Sequence, residues 1–174
     1  MPLNILTYPD PLLCRHSHPV TEITDELRTM AAEMTTLMYD AEGIGLAAPQ
    51  VGKLVRLITV DISGPEKRDS LLILVNPHLT PILDAGHIES EEGCLSVCDY
   101  RTRVKRYAKV LLEATDLNGQ PIKLEAEDLF SICLQHEVDH LDGRLFIDRI
   151  SRLKRTMYEA RMKKRFRQQP ERHL

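Results

Sequence analysis

The sequence has no apolar run long enough to cross a membrane. Its longest, Leu71-Leu72-Ile73-Leu74-Val75, falls far short of the roughly 20 residues a spanning helix requires. Cysteine is scarce, with four in 174 residues at positions 14, 94, 98 and 133, and no charged-apolar-small signal pattern precedes them. A disulfide scaffold is therefore not expected, and a reducing cytoplasm is the expected location. Internal repeats and low-complexity segments are also missing, which sets aside repeat arrays and disordered tracts. What remains is ordinary for a globular chain: 43% hydrophobic and 28% charged residues, with ten prolines and eight glycines. The length suits one domain over residues 1–174, able to bury roughly 70% of its unfolded surface.

The net charge of −3 conceals an asymmetry. Residues 151–174 hold nine Lys or Arg against two Glu, leaving −10 for residues 1–150. A basic helix or tail on an acidic body is either a solvated helix end or a surface that attracts polyanions.

Pro9, Pro11 and Pro19 make residues 6–20 an extended arm without a helix. Thr24 can cap a helix over about residues 25–40, with Asp25 and Glu26 in its first turn and Leu27, Met30, Met34, Leu37 and Met38 recurring at three- and four-residue spacing. Leu54–Ile62 and Leu71–Val75 read as strands, the second closed by Asn76-Pro77. Val110–Thr115 and Ile122–Ala126 flank Asn118-Gly119, a strong hairpin signal. From Glu127 to Leu141 a helix apolar nearly all round is predicted, and such a helix is buried. The pattern is an α+β fold in which antiparallel strands pack around a central helix, with further helices near each end of the sequence.

That central helix carries His136-Glu137-Val138-Asp139-His140. Residues four apart share a face, so two imidazoles can reach one ion with Glu137 beside them. Imidazole suits Zn, Fe, Co or Ni, and a neighbouring carboxylate that is not a ligand can take a proton from water. The bland alternative is two hydrogen-bonded core histidines. Two His and a Glu on one apolar helix need a shared reason for burial, since unpaired buried charge costs several kcal/mol. A hydrolase acting on amide bonds with a divalent metal is the expected class.

A third ligand is less apparent. One zinc-peptidase pattern expects a His where Phe146 stands, and another expects a downstream Glu, for which Glu159 stands at a suitable distance but in the basic tail, without the surrounding pattern. Cys94 follows a glycine in Glu92-Gly93-Cys94-Leu95-Ser96 and could supply a thiolate, or be a small buried apolar residue. The glycines of Gly43-Ile44-Gly45-Leu46-Ala47-Ala48-Pro49-Gln50 mimic a dinucleotide fingerprint. They follow a helix and precede a strand, which is the wrong context.

Taken together, G-I-G-L-A-A-P-Q, E-G-C-L-S and Q-H-E-V-D-H, in that order, resemble the three signature motifs of the peptide deformylase family. The likeness also takes in Tyr8-Pro9-Asp10-Pro11 and covers nearly all of the sequence. It implies removal of the formyl group from the N-terminal formylmethionine of nascent polypeptides, with release of formate. It implies Cys94, His136 and His140 as ligands of Fe(II), which Zn(II), Ni(II) or Co(II) can replace. Glu137 is then the general base, and Gln50 with the Leu95 N–H steadies charge on the formyl oxygen. Ile44, Leu129, Ile132, Cys133 and His136 are implied as the methionine pocket, Gly45 as a backbone partner of the peptide, and Arg101 as a contact to the peptide chain. Cys98 departs from the family, in which many members have Pro soon after E-G-C-L-S. It is expected to be a small packed side chain, the alternative being an adventitious metal donor or an oxidation partner. The basic tail could dock on the ribosome from which the substrate emerges; neither a membrane nor a specific DNA site is expected as a partner.

Overall fold

The computed structural model describes residues 3–168. In chain order its strands are β1 (Gly45–Ala47), β2 (Leu57–Val60), β3 (Leu72–Pro81), β4 (His87–Cys94), β5 (Val97–Tyr107), β6 (Lys109–Thr115) and β7 (Pro121–Glu127). Its helices are α1 (Asp25–Asp40), the single turn α2 (Gly64–Lys67), α3 (Asp128–Leu141) and α4 (Arg152–Gln168). Five strands form one antiparallel sheet in the order β1-β2-β3-β6-β7, and β4 pairs with β5 as a separate hairpin.

The two faces of the sheet follow from the period-2 alternation of strands. On β2, Leu57 belongs with Met34, Met38 and Leu46 in a core under α1, and Thr59 bonds to Thr35 of that helix at 3.0 Å. Ile58 and Val60 pack the other way, with Leu74, Leu112, Cys133, Leu134 and Leu141 under α3. All four β2 residues are buried, and each fully buried Leu, Ile or Val contributes roughly 1.5–3 kcal/mol.

Thr24 caps α1 as expected, its hydroxyl accepting from Leu27 N. The proline-rich arm is mostly extended but contains a one-turn 3-10 helix, Pro11–Cys14, capped by Asp10. The strand expected to close at Asn76-Pro77 instead continues to Pro81 through a bulge. Asn76 takes positive φ there, and its side chain both donates to and accepts from the Val20 backbone at 2.8 Å, fastening the arm. The hairpin at Asn118-Gly119 is present, with a loop from Asp116 to Gln120 tied by the Asp116 carboxylate to two backbone N–H groups.

The β4–β5 hairpin extends from the stretch that reads only as acidic, and its two-residue turn, Leu95-Ser96, puts Cys94 at the tip. A third core lies under it: Leu13, Val97, Val104, Phe146 and Ile147, closed by Tyr158 and Met162 of α4. After α3, Gly143 turns with φ of 69°; a Cβ there would come within 2.6 Å of the Cys14 carbonyl oxygen, so only glycine lets the arm cross the helix end.

Candidate active site

The cleft runs along α3, most of whose residues are buried. That helix brings its first buried turns against β1 and its last against the hairpin tip, so residues from three distant segments line one cleft of about 840 Å³. Ile44, Gly45, Gln50, Cys94, Leu95, Arg101, Leu129, Ile132, Cys133, His136 and Glu137 all face it, and His140 lies just behind. Ile132 and Cys133 are buried, Leu129 stands half-exposed at the rim, and Arg101 is exposed and paired with Glu91 at 3.0 Å.

Cys94 Sγ and one ring nitrogen each of His136 and His140 lie within 4.8 Å of one another. Among the described residues no other group of His, Cys, Asp or Glu meets the same test, and Cys98 stays outside it. Cys94 Sγ and His140 Nε2 are 3.2 Å apart, close to the ~3.5 Å separation that bonds of 2.0–2.3 Å impose around a tetrahedral ion. His136 Nδ1 bonds to Glu92 at 2.8 Å, which fixes the ring and leaves Nε2 for an ion. The donors therefore fit a borderline or soft divalent metal.

Behind them runs a chain of buried charges that no sequence pattern announced. Arg106, 2% exposed, grips Glu92 through Nε and Nη2 at 2.7 and 2.8 Å, and its Nη1 reaches Asp139 at 2.5 Å. Arg149 closes the other side of Asp139. Burial opposes ionisation of Glu92, yet Arg106 and His136 outweigh it and hold this carboxyl at about 2. Glu92 and Asp139 sit inside the signature motifs, so their positions were in view. Arg106 carried no signal, because its importance comes from burial.

Glu137 is 4% exposed and its Oε2 has no hydrogen-bond partner among the described residues. Burial pushes it up to about 7, the Glu92 charge adding to this against the pull of His136 and Arg106. Burial likewise drives His140 well below its ordinary value, which favours the neutral imidazole that a ligand would need. Gln50 is fixed at both ends of its amide: Oε1 accepts from Ala47 N at 2.8 Å, while Nε2 points to Cys94 Sγ at 3.6 Å and Ser96 Oγ at 3.1 Å. Ser96, unassigned from sequence, thus orients that amide.

Three converging donors with a titratable carboxylate beside them, in a cleft on an α+β scaffold, are the apparatus of a metal-dependent hydrolase. Comparison with known proteins narrows the class. Residues 2–156 match the family model described as polypeptide deformylase. A peptide deformylase of Thermodesulfovibrio yellowstonii is 47% identical over 161 residues, spanning 92% of this chain and 96% of its own. A solved peptide deformylase from Legionella pneumophila superposes with a TM-score of 0.87 at 40% identity, covering 98% of both chains. Another from Synechococcus elongatus, in complex with actinonin, gives 0.85 at 38% identity over 92% of this chain and 88% of that one. The chain belongs to the peptide deformylase family.

Proposed function

We propose that this enzyme removes the formyl group from N-terminal formylmethionine of newly made polypeptides and releases formate. The observation that carries the reading is Glu137, a buried carboxylate without a partner on Oε2, beside the Cys94, His136 and His140 donors. Those three residues would hold one divalent ion, Fe(II) by family resemblance, with Zn(II), Ni(II) or Co(II) able to replace it. When bound, such an ion supplies Lewis acidity that makes water a nucleophile near neutral pH.

The remaining steps belong to the chain. Glu137 accepts the proton of the attacking water and returns it to the departing amine, a role suited to a carboxylate poised at about 7. Gln50 Nε2 and the Leu95 N–H donate to the formyl oxygen as it gains charge; losing one such donor typically costs roughly 2.7–4 kcal/mol of barrier. Ile44, Leu129, Ile132 and Cys133 take the methionine side chain, the Gly45 backbone holds the peptide, and Arg101 meets its downstream part. Residues 1–174 act as one catalytic unit, working in the cytoplasm where nascent chains emerge. The α4 cations Lys154, Lys163 and Lys164, all exposed, give it a surface for ribosomal polyanion.

The direct test is formate release from formyl-Met-Ala-Ser against amino-acid release from Met-Ala-Ser; amino-acid release without formate refutes the reading. Glu137→Gln is expected to keep the metal and lose most turnover, while Cys94→Ala loses metal first. Full activity in Glu137→Gln removes the assigned base. For the tail, Lys154→Glu/Lys163→Glu/Lys164→Glu is expected to weaken sedimentation with ribosomes at low salt without changing turnover; unaltered sedimentation disposes of the docking surface.

A further inference from the structure

The face of α3 formed by Gln135, Val138 and Asp139, with Asp142 just past the helix end, turns away from the active-site cleft and borders a second cavity of about 370 Å³. Its charge runs against the rest of the body. Residues 1–150 carry a net −10, yet four cations, Lys105, Arg106, Arg144 and Arg149, line this cavity against two carboxylates, Asp139 and Asp142.

Both carboxylates are already engaged. Asp142 accepts from Arg56 at 2.7 Å, and Asp139 is held between Arg106 and Arg149. Arg106 is matched by Glu92 and Asp139, but the other three cations are not matched in the same way. Lys105 and Arg144 form no ion pair among the described residues, although Glu89 lies opposite Lys105 in the hairpin register. Arg149 spends Nε and Nη2 on Asp139, which leaves its Nη1 without a partner among the described residues. At one rim His87 lies against the Tyr107 ring, 4.8 Å between centroids, offering a further donor.

We propose that this cavity binds a small phosphate-bearing anion. A guanidinium presents paired N–H groups that match phosphate oxygens, and an ammonium adds a mobile point charge. Two arginines and a lysine with donors to spare suit a multiply charged tetrahedral oxyanion better than a single carboxylate. The volume lies at the lower end for small-molecule sites, which favours a compact ligand over a nucleic-acid strand. The site is separate from the deformylase cleft and does not depend on how that cleft is read. It touches the cleft through one relay, since Arg149 and Arg106 share Asp139, and Arg106 in turn holds Glu92 against His136.

The test is calorimetric titration of the metal-loaded protein with pyrophosphate at constant ionic strength, alongside Lys105→Ala/Arg144→Ala. One saturable site per chain is expected, weakened by about tenfold or more in the double variant, which loses two charged contacts. Both residues are exposed and lie outside the active-site cleft, so formate release and the circular dichroism spectrum should be unchanged. Absence of saturation overturns the proposal. Equal affinity in the double variant also overturns it, because the anion then sits on the metal centre or the α4 cations. A short single-stranded RNA serves as the second ligand: if it binds through Lys105 and Arg144 while pyrophosphate does not, the small-ligand assignment is wrong.

Discussion

Replacing Gly45 by alanine tests whether the position of Glu137 limits the reaction. Gly45 lies on β1, opposite Val60, with φ outside the left-handed region, so alanine meets no backbone objection. The obstacle is the site itself: an added Cβ would stand 2.3 Å from Glu137 Oε1, 2.8 Å from Cδ and 2.9 Å from Cγ. Ordinary contact requires about 3.4 Å or more, so the carboxylate must retreat by ~1 Å. A displacement of that size typically costs on the order of 100-fold in rate, about 2.7 kcal/mol of barrier. Overpacking of a buried site adds roughly 1–3 kcal/mol of lost stability. The three nearest atoms all belong to Glu137, so metal content should stay at that of the parent protein. The assay is formate release under saturating formyl-Met-Ala-Ser, with elemental analysis and a melting curve on the same preparation. Gly43→Ala is the control: its nearest neighbour is the flexible Leu95 Cδ1 at 3.0 Å, and a much smaller loss is expected. If Gly45→Ala turns over at the parental rate with full metal content, the placement of Glu137 does not control catalysis.

Further outcomes follow from the same geometry. Glu92→Gln removes the charge that anchors both His136 and Arg106, and is expected to weaken metal retention by roughly 10–100-fold, read by chelator competition; unchanged retention would show that the anchor is dispensable. Tyr39 donates to buried Asp61 at 2.6 Å, and burial, with Asp61, raises its pKa from 10.0 to about 12. The neutral phenol is thus favoured in the folded state, so its stabilising contribution is complete below pH 10 and fades as pH rises from 10 to 12. Denaturant unfolding should show that decline, and Tyr39→Phe should flatten it. Truncation after Ile150 strips Tyr158 and Met162, 2% and 6% exposed, from the core beneath the hairpin, and should lower the melting temperature by several degrees; an unchanged melting point would mean α4 is only an appendage.

The sequence was informative where local chemistry and periodicity agree. Thr24 and the spaced Leu and Met residues marked α1 over about residues 25–40, where it lies, and the two imidazoles four apart pointed to a helix. The β4–β5 hairpin was illegible because β4 alternates small, acidic and apolar residues that mean nothing until β5 supplies the opposite charges. Glu89 faces Lys105 and Glu91 faces Arg103 only once the register is known. Strand β3 was cut short at Asn76-Pro77 for a related reason: turn residues usually end a strand, and here a bulge uses them to grip Val20, 56 positions away. The three candidate ligands could be named through family resemblance. The Arg106 and Arg149 relay, and the pressure of Gly45 on Glu137, depend on distances that no one-dimensional pattern encodes.

The candidate ligand set spans two kinds of spacing: His136 and His140 belong to one helical turn, whereas Cys94 comes from a hairpin tip 46 positions from His140. An ion shared among them would act as a staple, closing a long loop and clamping hairpin to helix. Its binding free energy adds to folding stability as RT ln(1 + [M]/Kd). Heat resistance of the whole chain then becomes a gauge of how full the centre is, readable in a crude sample before any substrate is added.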